Sequence, residues 1–262
     1  MVETKRLVGK VPAVTLTFWV IKILATTLGE TGGDAVSMSW LGETTPEAGS
    51  GGVNGYLVGT TIFGVLLVGL ATFQVRARRF NLWLYWATII ASTTAGTTLA
   101  DFATRSIGLG YPGGSILLLG LVLLSLVTWH RSLGTIDVNA VDNPRAETFY
   151  WITITCSQTL GTALGDWVAD GPLGYTGAAL LFGAALGILA LLYLGTRVSR
   201  VFLFWSAFIL TRPLGATVGD FLDKPVAKGG LDFSRPLATA TLSLAIVLLI
   251  LLIPQRAGRG HH

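Results

Sequence analysis

The sequence predicts an all-α membrane protein with eight transmembrane helices, organised as four repeats of two helices each. Three observations support this fold class: the composition, eight apolar runs of spanning length, and one motif that occurs four times. Hydrophobic residues make up 52% of the chain and charged residues only 12%, whereas soluble globular domains carry about 25% charged residues. The charges lie in short clusters between the apolar runs, as in a chain that crosses a bilayer repeatedly.

Eight segments reach the length of about 20 mainly apolar residues that a spanning helix needs. The predicted spans are Val11–Asp34, Gly55–Val75, Leu82–Ala103, Gly113–Trp129, Thr148–Val168, Gly174–Leu194, Val201–Leu222 and Leu237–Ile253. Pro112, Pro172 and Pro236 lie just before even-numbered spans, where a helix-start signal is expected. Residues 1–262 are therefore predicted to be a single membrane domain with repeats at 11–75, 82–129, 148–194 and 201–253.

One motif recurs in every odd-numbered span. A Trp, preceded by another aromatic residue, is followed ten residues later by Gly and fifteen residues later by Asp. Self-similarity of this kind is typical of repeat architectures. The four sets are Phe18, Trp19, Gly29 and Asp34; Tyr85, Trp86, Gly96 and Asp101; Tyr150, Trp151, Gly161 and Asp166; and Phe204, Trp205, Gly215 and Asp220.

Lys and Arg are distributed unequally between the two sides of the predicted membrane. Twelve lie on the side of the termini, and four lie on the other side, namely Arg105, Lys224, Lys228 and Arg235. Because cytoplasmic loops are rich in Lys and Arg, both termini are predicted to be cytoplasmic. Each repeat crosses twice, so the odd-numbered helices run in parallel, related by a pseudo-fourfold or nested two-fold axis along the membrane normal. The Trp residues are then expected at the cytoplasmic interface and the Asp residues toward the outer end.

The motif acids Asp34, Asp101, Asp166 and Asp220 are the candidate metal ligands, together with Glu30, one turn before Asp34. Acids inside a membrane usually mark ion or proton sites. Each lies near a helix C-terminus, where the dipole disfavours a second negative charge unless a cation compensates it. Oxygen ligands without nearby His or Cys suit hard cations such as Mg²⁺, Ca²⁺ or Mn²⁺. The alternative is that these acids are solvated in the headgroup layer or link neighbouring helix ends.

Hydroxyl side chains lie on the same helix face as the motif Asp, four and seven residues before it. At about 100° per residue these positions share one face. They are predicted either to line an ion pathway or to bond back to their own helix. The residues are Thr27, Thr94, Thr97, Thr159 and Thr162.

On a neighbouring face the motif Gly is followed four residues later by a second small residue. This small-xxx-small spacing lets membrane helices approach closely, so it predicts helix packing. The pairs are Gly29 and Gly33, Gly96 and Ala100, Gly161 and Gly165, and Gly215 and Gly219.

Two basic residues, Lys22 and Arg212, lie inside predicted spans. A charge at mid-membrane costs at least about 2.5–3.5 kcal/mol on insertion scales. We therefore expect both to act as internal counter-charges to the acids. For Lys22, close to Trp19, the alternative is that its ammonium reaches the cytoplasmic interface.

The residues favour neither an enzyme nor a nucleic-acid-binding protein. The net charge of +4 reports membrane topology, so no nucleic-acid partner is predicted. A phosphate-binding Gly loop, a nucleophile elbow and an H-E-x-x-H pattern are absent from the sequence. A membrane enzyme that uses two Asp residues is a third, weaker alternative, because no other catalytic constellation accompanies them.

The phrases T-x-G-T-x-x-x-D and L-G-D-[WF], as in Thr94–Asp101 and Thr159–Trp167, resemble a bacterial family of multi-spanning, uncharacterised membrane-anchored proteins. The resemblance covers nearly the whole chain and implies a multi-pass protein of the bacterial inner membrane with eight helices. It implies no activity. Arg212 and Pro213 depart from the family pattern in the fourth copy.

The leading hypothesis for function is a transporter of a hard divalent cation, with Mn²⁺ as the first candidate. The motif acids would bind the ion and the Thr stripes would form its pathway. The predicted partners are the metal cation and the lipid bilayer, and no cofactor is predicted apart from a bound divalent cation. The alternative is a non-transporting membrane scaffold or sensor, in which the acids and hydroxyls link the repeats.

Overall fold

The computed structural model describes residues 8–41 and 54–259. The parts of the predicted domain at 1–7, 42–53 and 260–262 lie outside the described residues. Within the described ranges there are eight long α-helices. They are α1 (Leu16–Asp34), α2 (Gly55–Arg76), α3 (Leu82–Asp101), α4 (Gly110–Leu133), α5 (Pro144–Ala169), α6 (Gly174–Gly195), α7 (Arg200–Asp223) and α8 (Arg235–Leu252).

Among the described residues, five helices are long and apolar enough to cross a membrane, namely α2, α4, α6, α7 and α8. This is the character of a membrane protein. The remaining three, α1, α3 and α5, contain more Thr residues. Most of their side chains are buried against other helices, so their environment is protein and does not demand an apolar surface.

The four odd-numbered helices form a closed ring. Helix α1 packs on α3, α3 on α5, α5 on α7, and α7 on α1. Each even-numbered helix lies outside this ring and packs mainly on the odd helix of the following repeat: α2 on α3, α4 on α5, α6 on α7, and α8 on α1. Each repeat therefore contributes its second helix to its neighbour, which ties the four repeats into one body.

The ring has two chemically different ends. At the end that we call the aromatic end, the residues that precede the motif Trp meet: Phe18, Tyr85, Tyr150 and Phe204. At the other, which we call the aspartate end, basic side chains connect the motif Asp residues of different repeats. Because the helix starts meet at one end and the helix ends at the other, the odd helices run in the same direction.

The first predicted span begins too early. Residues Val8–Pro12 form strand β1, which pairs antiparallel with β2 (Ala257–Arg259). Helix α1 begins only at Leu16, where the Thr15 hydroxyl caps it by accepting a hydrogen bond from the Phe18 amide. The apolar run that suggested a helix from Val11 is therefore divided between a strand and a helix by an N-cap residue.

In the first two repeats a widened π-helical turn directly follows the motif Asp. These turns are Ala35–Trp40 and Phe102–Ser106. In the third and fourth repeats the α-helix continues past the motif Asp, to Ala169 and Asp223. Short π-helical segments often occur at functional sites, and the second of these contains Arg105.

Candidate functional site

A side chain of the next odd helix in the ring packs directly against each motif glycine. An added Cβ on Gly29, Gly96, Gly161 or Gly215 would come under 3.0 Å from that side chain, so only glycine fits. The predicted packing role of the small residues is confirmed. Each glycine and the residue that packs against it are Gly29 and Thr93, Gly96 and Gln158, Gly161 and Arg212, and Gly215 and Thr26.

The residue that packs against a motif glycine always lies three positions before the motif glycine of its own repeat. Thr26, Thr93, Gln158 and Arg212 are therefore equivalent positions, and all four are fully buried. The fourth repeat places an arginine where the others have Thr or Gln. Because its stem lies against Gly161, the guanidinium can extend into the centre of the ring.

Arg212 connects all four repeats. Its Nη2 lies 2.8 Å from Glu30 Oε2 and within hydrogen-bonding distance of the hydroxyl oxygens of Thr97 and Thr162. These three partners are equivalent residues, each four positions before the motif Asp, in the first, second and third repeats. One fully buried guanidinium thus closes the middle of the ring, held by one side chain from each of the other repeats.

At the aspartate end two basic residues bridge the motif acids in pairs. Arg105 Nε lies 3.1 Å from Asp101 Oδ1, and its Nη2 lies 3.1 Å from Asp166 Oδ2. Lys224 Nζ lies 2.9 Å from Asp220 Oδ1 and 2.9 Å from Asp34 Oδ2. Each base stands four residues after the Asp of its own repeat and also reaches the Asp of the next one. The ion pairs at the aspartate end therefore have approximate two-fold symmetry, although the motif itself repeats four times.

Two groups of buried acids bring their oxygens close enough to hold one metal ion. Glu30, Asp166 and Asp220 form the first group, and Asp34, Asp220 and Asp223 form the second. Within each group one carboxylate oxygen per residue lies within 4.8 Å of the others. Asp220 belongs to both, so the two groups form one connected set of oxygen ligands of the kind that hard cations prefer.

The aspartate end carries an excess of negative charge. Six buried carboxylates, the five predicted acids and Asp223, face four bases: Arg105, Arg212, Lys224 and Arg235. If all are ionised, the formal charge of this cluster is −2. Among the described residues, Asp34 Oδ1, Asp101 Oδ2 and Asp166 Oδ1 are buried acceptors without a hydrogen-bond partner. Buried acceptors of this kind are costly unless a ligand satisfies them.

Lys224 lies just beyond the end of α7, and the surrounding acids keep it charged. Burial alone lowers the pKa of Lys224. The carboxylates of Asp220 and Asp34 outweigh that effect and hold the pKa well above its ordinary value. The acids therefore favour the charged ammonium form of Lys224.

Four consecutive segments of the chain, 17–80, 84–135, 149–199 and 203–257, match the family described as Repeat of Unknown Function (DUF347). The chain belongs to this family. The matched segments correspond to the four predicted two-helix repeats, so the internal repeats are confirmed. No curated protein and no solved structure matches the chain.

The two predicted counter-charges occupy different positions in the DUF347 repeats. Arg212 lies beside Glu30, as described above. Lys22 is fully buried and does not reach the interface. Its Nζ lies 3.4 Å from Gln158 Oε1 and 4.1 Å from the centre of the Phe208 ring. Within the described part of the chain, no carboxylate lies in ion-pair distance of Lys22.

The predicted Thr residues separate into two groups. Thr97 and Thr162 contact Arg212 in the ring centre, whereas the hydroxyls of Thr27, Thr94 and Thr159 bond back to carbonyl oxygens of their own helices. The side chains that face the ring centre lie four and eight residues before the motif Asp, and not four and seven residues before it as the sequence predicts. Residues four apart form an inclined ridge, as expected where helices pack ridge into groove at an angle.

Several residues of the site were not among the predicted ligands. The sequence places Arg105, Lys224 and Arg235 only on the side of the membrane opposite the termini, and Asp223 is not among the candidate ligands. A signal for two of them is present in the sequence, because Arg105 and Lys224 each follow a motif Asp by four residues. That spacing places opposite charges on neighbouring turns of a helix.

At the aromatic end the DUF347 repeats meet through tilted and edge-on aromatic rings and through hydrogen bonds. The hydroxyl oxygens of Tyr85 and Tyr150 are 2.6 Å apart and buried. Trp86, Trp151 and Trp205 are buried as well, so these three rings pack against other parts of the protein. They pack between the ring and the segments that cover its end, and Trp205 Nε1 donates to the Ile136 carbonyl at 2.9 Å.

Proposed function

We propose that the protein transports a hard divalent cation, with Mn²⁺ as the first candidate, and binds it with the carboxylates of the aspartate end. The observation that carries this proposal is the connected pair of buried acid groups that share Asp220, in a cluster with a formal charge of −2. A divalent cation would neutralise that charge. Acids buried at the ends of membrane helices are otherwise costly.

The proposed topology has all eight helices spanning the bacterial inner membrane, both termini in the cytoplasm, and a pseudo-fourfold axis along the membrane normal. The distribution of Lys and Arg supports this orientation, and the closed ring of odd helices supports the pseudo-fourfold axis. The aspartate end then faces outward and the aromatic end faces the cytoplasm.

In this proposal the buried Arg212 separates the acids from the rest of the ring. A cation held by Asp166 and Asp220 gains Glu30 as its third ligand only by competing with Arg212 for that carboxylate. Movement of the cation past this level therefore requires that Arg212 leave Glu30. Protons exchanged at the same carboxylates are the proposed driving force.

The test is cation uptake by proteoliposomes that contain the purified protein. Asp220→Asn removes the acid shared by both groups while keeping the shape of the side chain, so we expect it to abolish Mn²⁺ flux. The matched control is Asp170→Asn, which makes the same change at an exposed residue near the same end and is expected to retain flux. If the wild-type protein moves no cation, or Asp220→Asn moves it normally, the proposal is wrong.

A second candidate function is a non-transporting scaffold or sensor. The specific observation in its favour is that Arg105 and Lys224 link the acids of adjacent repeats in pairs, as structural connections would. In that case Asp220→Asn lowers the unfolding temperature, and no cation changes it. A cation that binds the folded state at 100 times its Kd raises stability by about 2.7 kcal/mol, so a thermal-shift series with Mg²⁺, Ca²⁺ and Mn²⁺ separates the two functions.

A further inference from the structure

The two basic bridges at the aspartate end occupy equivalent positions but differ in chemistry. Arg105 holds its two acids with two different nitrogens, Nε and Nη2. Lys224 holds its two acids with the single nitrogen Nζ. Arginine is a planar fork that is preorganised for such a pair, whereas lysine is a compact point charge on a flexible stem. The arginine bridge is thus the fixed one, and the lysine bridge resembles a bound monoatomic cation.

The surroundings of the lysine bridge contain a third acid. Asp223 Oδ1 lies 4.0 Å from Lys224 Nζ, and its Oδ2 lies 3.1 Å from Arg235 Nε. Asp34, which is fully buried, retains one oxygen, Oδ1, that has no hydrogen-bond partner among the described residues. Without the lysine ammonium, the three acids and Arg235 carry a formal charge of −2, which matches a divalent cation.

The lysine side chain lies at the edge of the cluster. Its exposed fraction is 11%, and it stands just after α7, where the chain folds back over the helix end. The backbone amides of Leu231 and Phe233 donate to the carbonyls of Phe221 and Leu222. This turn fixes the backbone of Lys224, and an added Cβ on Gly230 would collide with its carbonyl oxygen. The ammonium can therefore move outward by side-chain rotation, without a change in the fold.

We propose that the Lys224 ammonium is an internal competitor of the transported cation, and that the cation binds Asp34, Asp220 and Asp223 by displacing it. This inference rests on the proposed function and specifies its first binding step. The lysine compensates the acids in the ion-free protein. Any cation that enters must take over the positive charge that Lys224 provides. Lys224 therefore sets a lower limit on the charge and affinity of the ions that bind.

Lysine footprinting of the intact protein in detergent, with and without Mn²⁺, tests the displacement directly. An amine held between two carboxylates reacts slowly with an acylating reagent, and a displaced amine reacts faster. We expect saturating Mn²⁺ to increase the acylation rate of Lys224 severalfold, read by mass spectrometry. Lys22 is the internal control, because it is fully buried and should stay unmodified in both conditions.

The affinity for Mn²⁺, measured by calorimetry, provides the second readout. Lys224→Arg keeps the charge but replaces the point charge by a fork that binds two carboxylates more tightly, so we expect Mn²⁺ to bind roughly tenfold more weakly. Lys224→Gln removes the competitor, and we expect binding to become roughly 10- to 100-fold tighter. Lys10→Arg, the same change at the aromatic end, is the matched control and should keep the wild-type affinity.

The outcomes separate this inference from the proposed function. If Mn²⁺ binds the wild-type protein but Lys224 stays protected and Lys224→Arg binds with unchanged affinity, the competitor role is overturned and the cation site stands. If neither the wild-type protein nor Lys224→Gln binds Mn²⁺, Mg²⁺ or Ca²⁺, the proposed function itself fails. Lys224→Arg preserves the ion pairs, so the test does not depend on the folding of Lys224→Gln.

Discussion

The aromatic end and the aspartate end are built from the same fourfold motif, yet they close the ring by different means. At the aromatic end Phe18, Tyr85, Tyr150 and Phe204 contact one another through their rings, with one hydroxyl pair among them. At the aspartate end the motif residue is Asp in every repeat, and the repeats are joined by ion pairs. The motif residues are aromatic and pack at one end, and they are charged and form ion pairs at the other.

The difference shows where this molecule departs from its own symmetry. The four aromatic residues are uncharged and pack against one another and against Trp129, so the aromatic end needs no counter-charge for its motif residues. Four acids repel one another and require bases, which the motif does not supply. The bases come from single repeats: Arg105 from the second, and Arg212 and Lys224 from the fourth. The bases that single repeats supply therefore break the fourfold symmetry that the motif establishes.

The largest effect is expected from removing the central base. Arg212→Met leaves Glu30 buried without its counter-charge, and losing one partner of a buried ion pair typically costs about 3–5 kcal/mol. We therefore expect a loss of that size in the free energy of unfolding, measured in detergent by thermal or denaturant unfolding.

The double variant Arg212→Met with Glu30→Gln is the control for this prediction. Removing both charges leaves no uncompensated ion, so we expect it to recover a large part of the lost stability. A double variant that is as unstable as Arg212→Met alone would show that the guanidinium stabilises the ring by packing against Gly161 and not by pairing with Glu30.

A smaller effect is expected from filling the space at a motif glycine. In Gly161→Ala the new methyl group collides with the Cβ and Cγ of Arg212, which cannot move without displacing the guanidinium from Glu30. Overpacking of this kind costs about 1–3 kcal/mol, and we expect a loss of stability in that range together with weaker Mn²⁺ binding.

Gly187→Ala in α6 is the matched comparison, because an added Cβ there has nothing within 4 Å. Alanine is the better helix former by up to about 1 kcal/mol, so this change should be neutral or stabilising. Equal losses at both glycines would mean that helix propensity or lipid contacts, and not the approach of odd helices, determine the role of Gly161.

Much of the frame was predictable from the sequence because it depends on local patterns. Apolar runs of spanning length and the fixed spacing of Trp, Gly and Asp predicted the helices, the repeats and the glycine packing. Four of the five predicted acids fall in the two groups that could hold a metal ion, since the motif places each Asp at the same height of a parallel helix, and the fifth, Asp101, is linked to Asp166 through Arg105. The boundary error at Val11 arose because hydropathy does not distinguish an apolar strand from an apolar helix.

The partners of the acids could not be predicted, because they depend on which helix neighbours which. Lys224 reaches Asp34 across the closure between the last and the first repeats, a contact that spans most of the chain. Arg212 reaches three other repeats only because Gly161 admits its stem. The prediction also missed which hydroxyls face the ring centre. Helices that pack at an angle present residues four apart to their neighbours. Thr27, Thr94 and Thr159, seven residues before the motif Asp, therefore bond to their own helices.

The smallest effect is expected at the aromatic end. Tyr85→Phe removes one hydroxyl of the buried pair and leaves the Tyr150 hydroxyl without its partner, so we expect a loss of about 0.5–1.5 kcal/mol in the free energy of unfolding. Adding Tyr150→Phe removes the second hydroxyl while keeping both rings, and replacing both partners by apolar groups can be nearly neutral. The double variant should therefore be at least as stable as Tyr85→Phe alone.

Tyr193→Phe, on the exposed surface of α6, controls for the loss of a hydroxyl as such. A double variant less stable than either single one would show that this end depends on polar contacts as the aspartate end does.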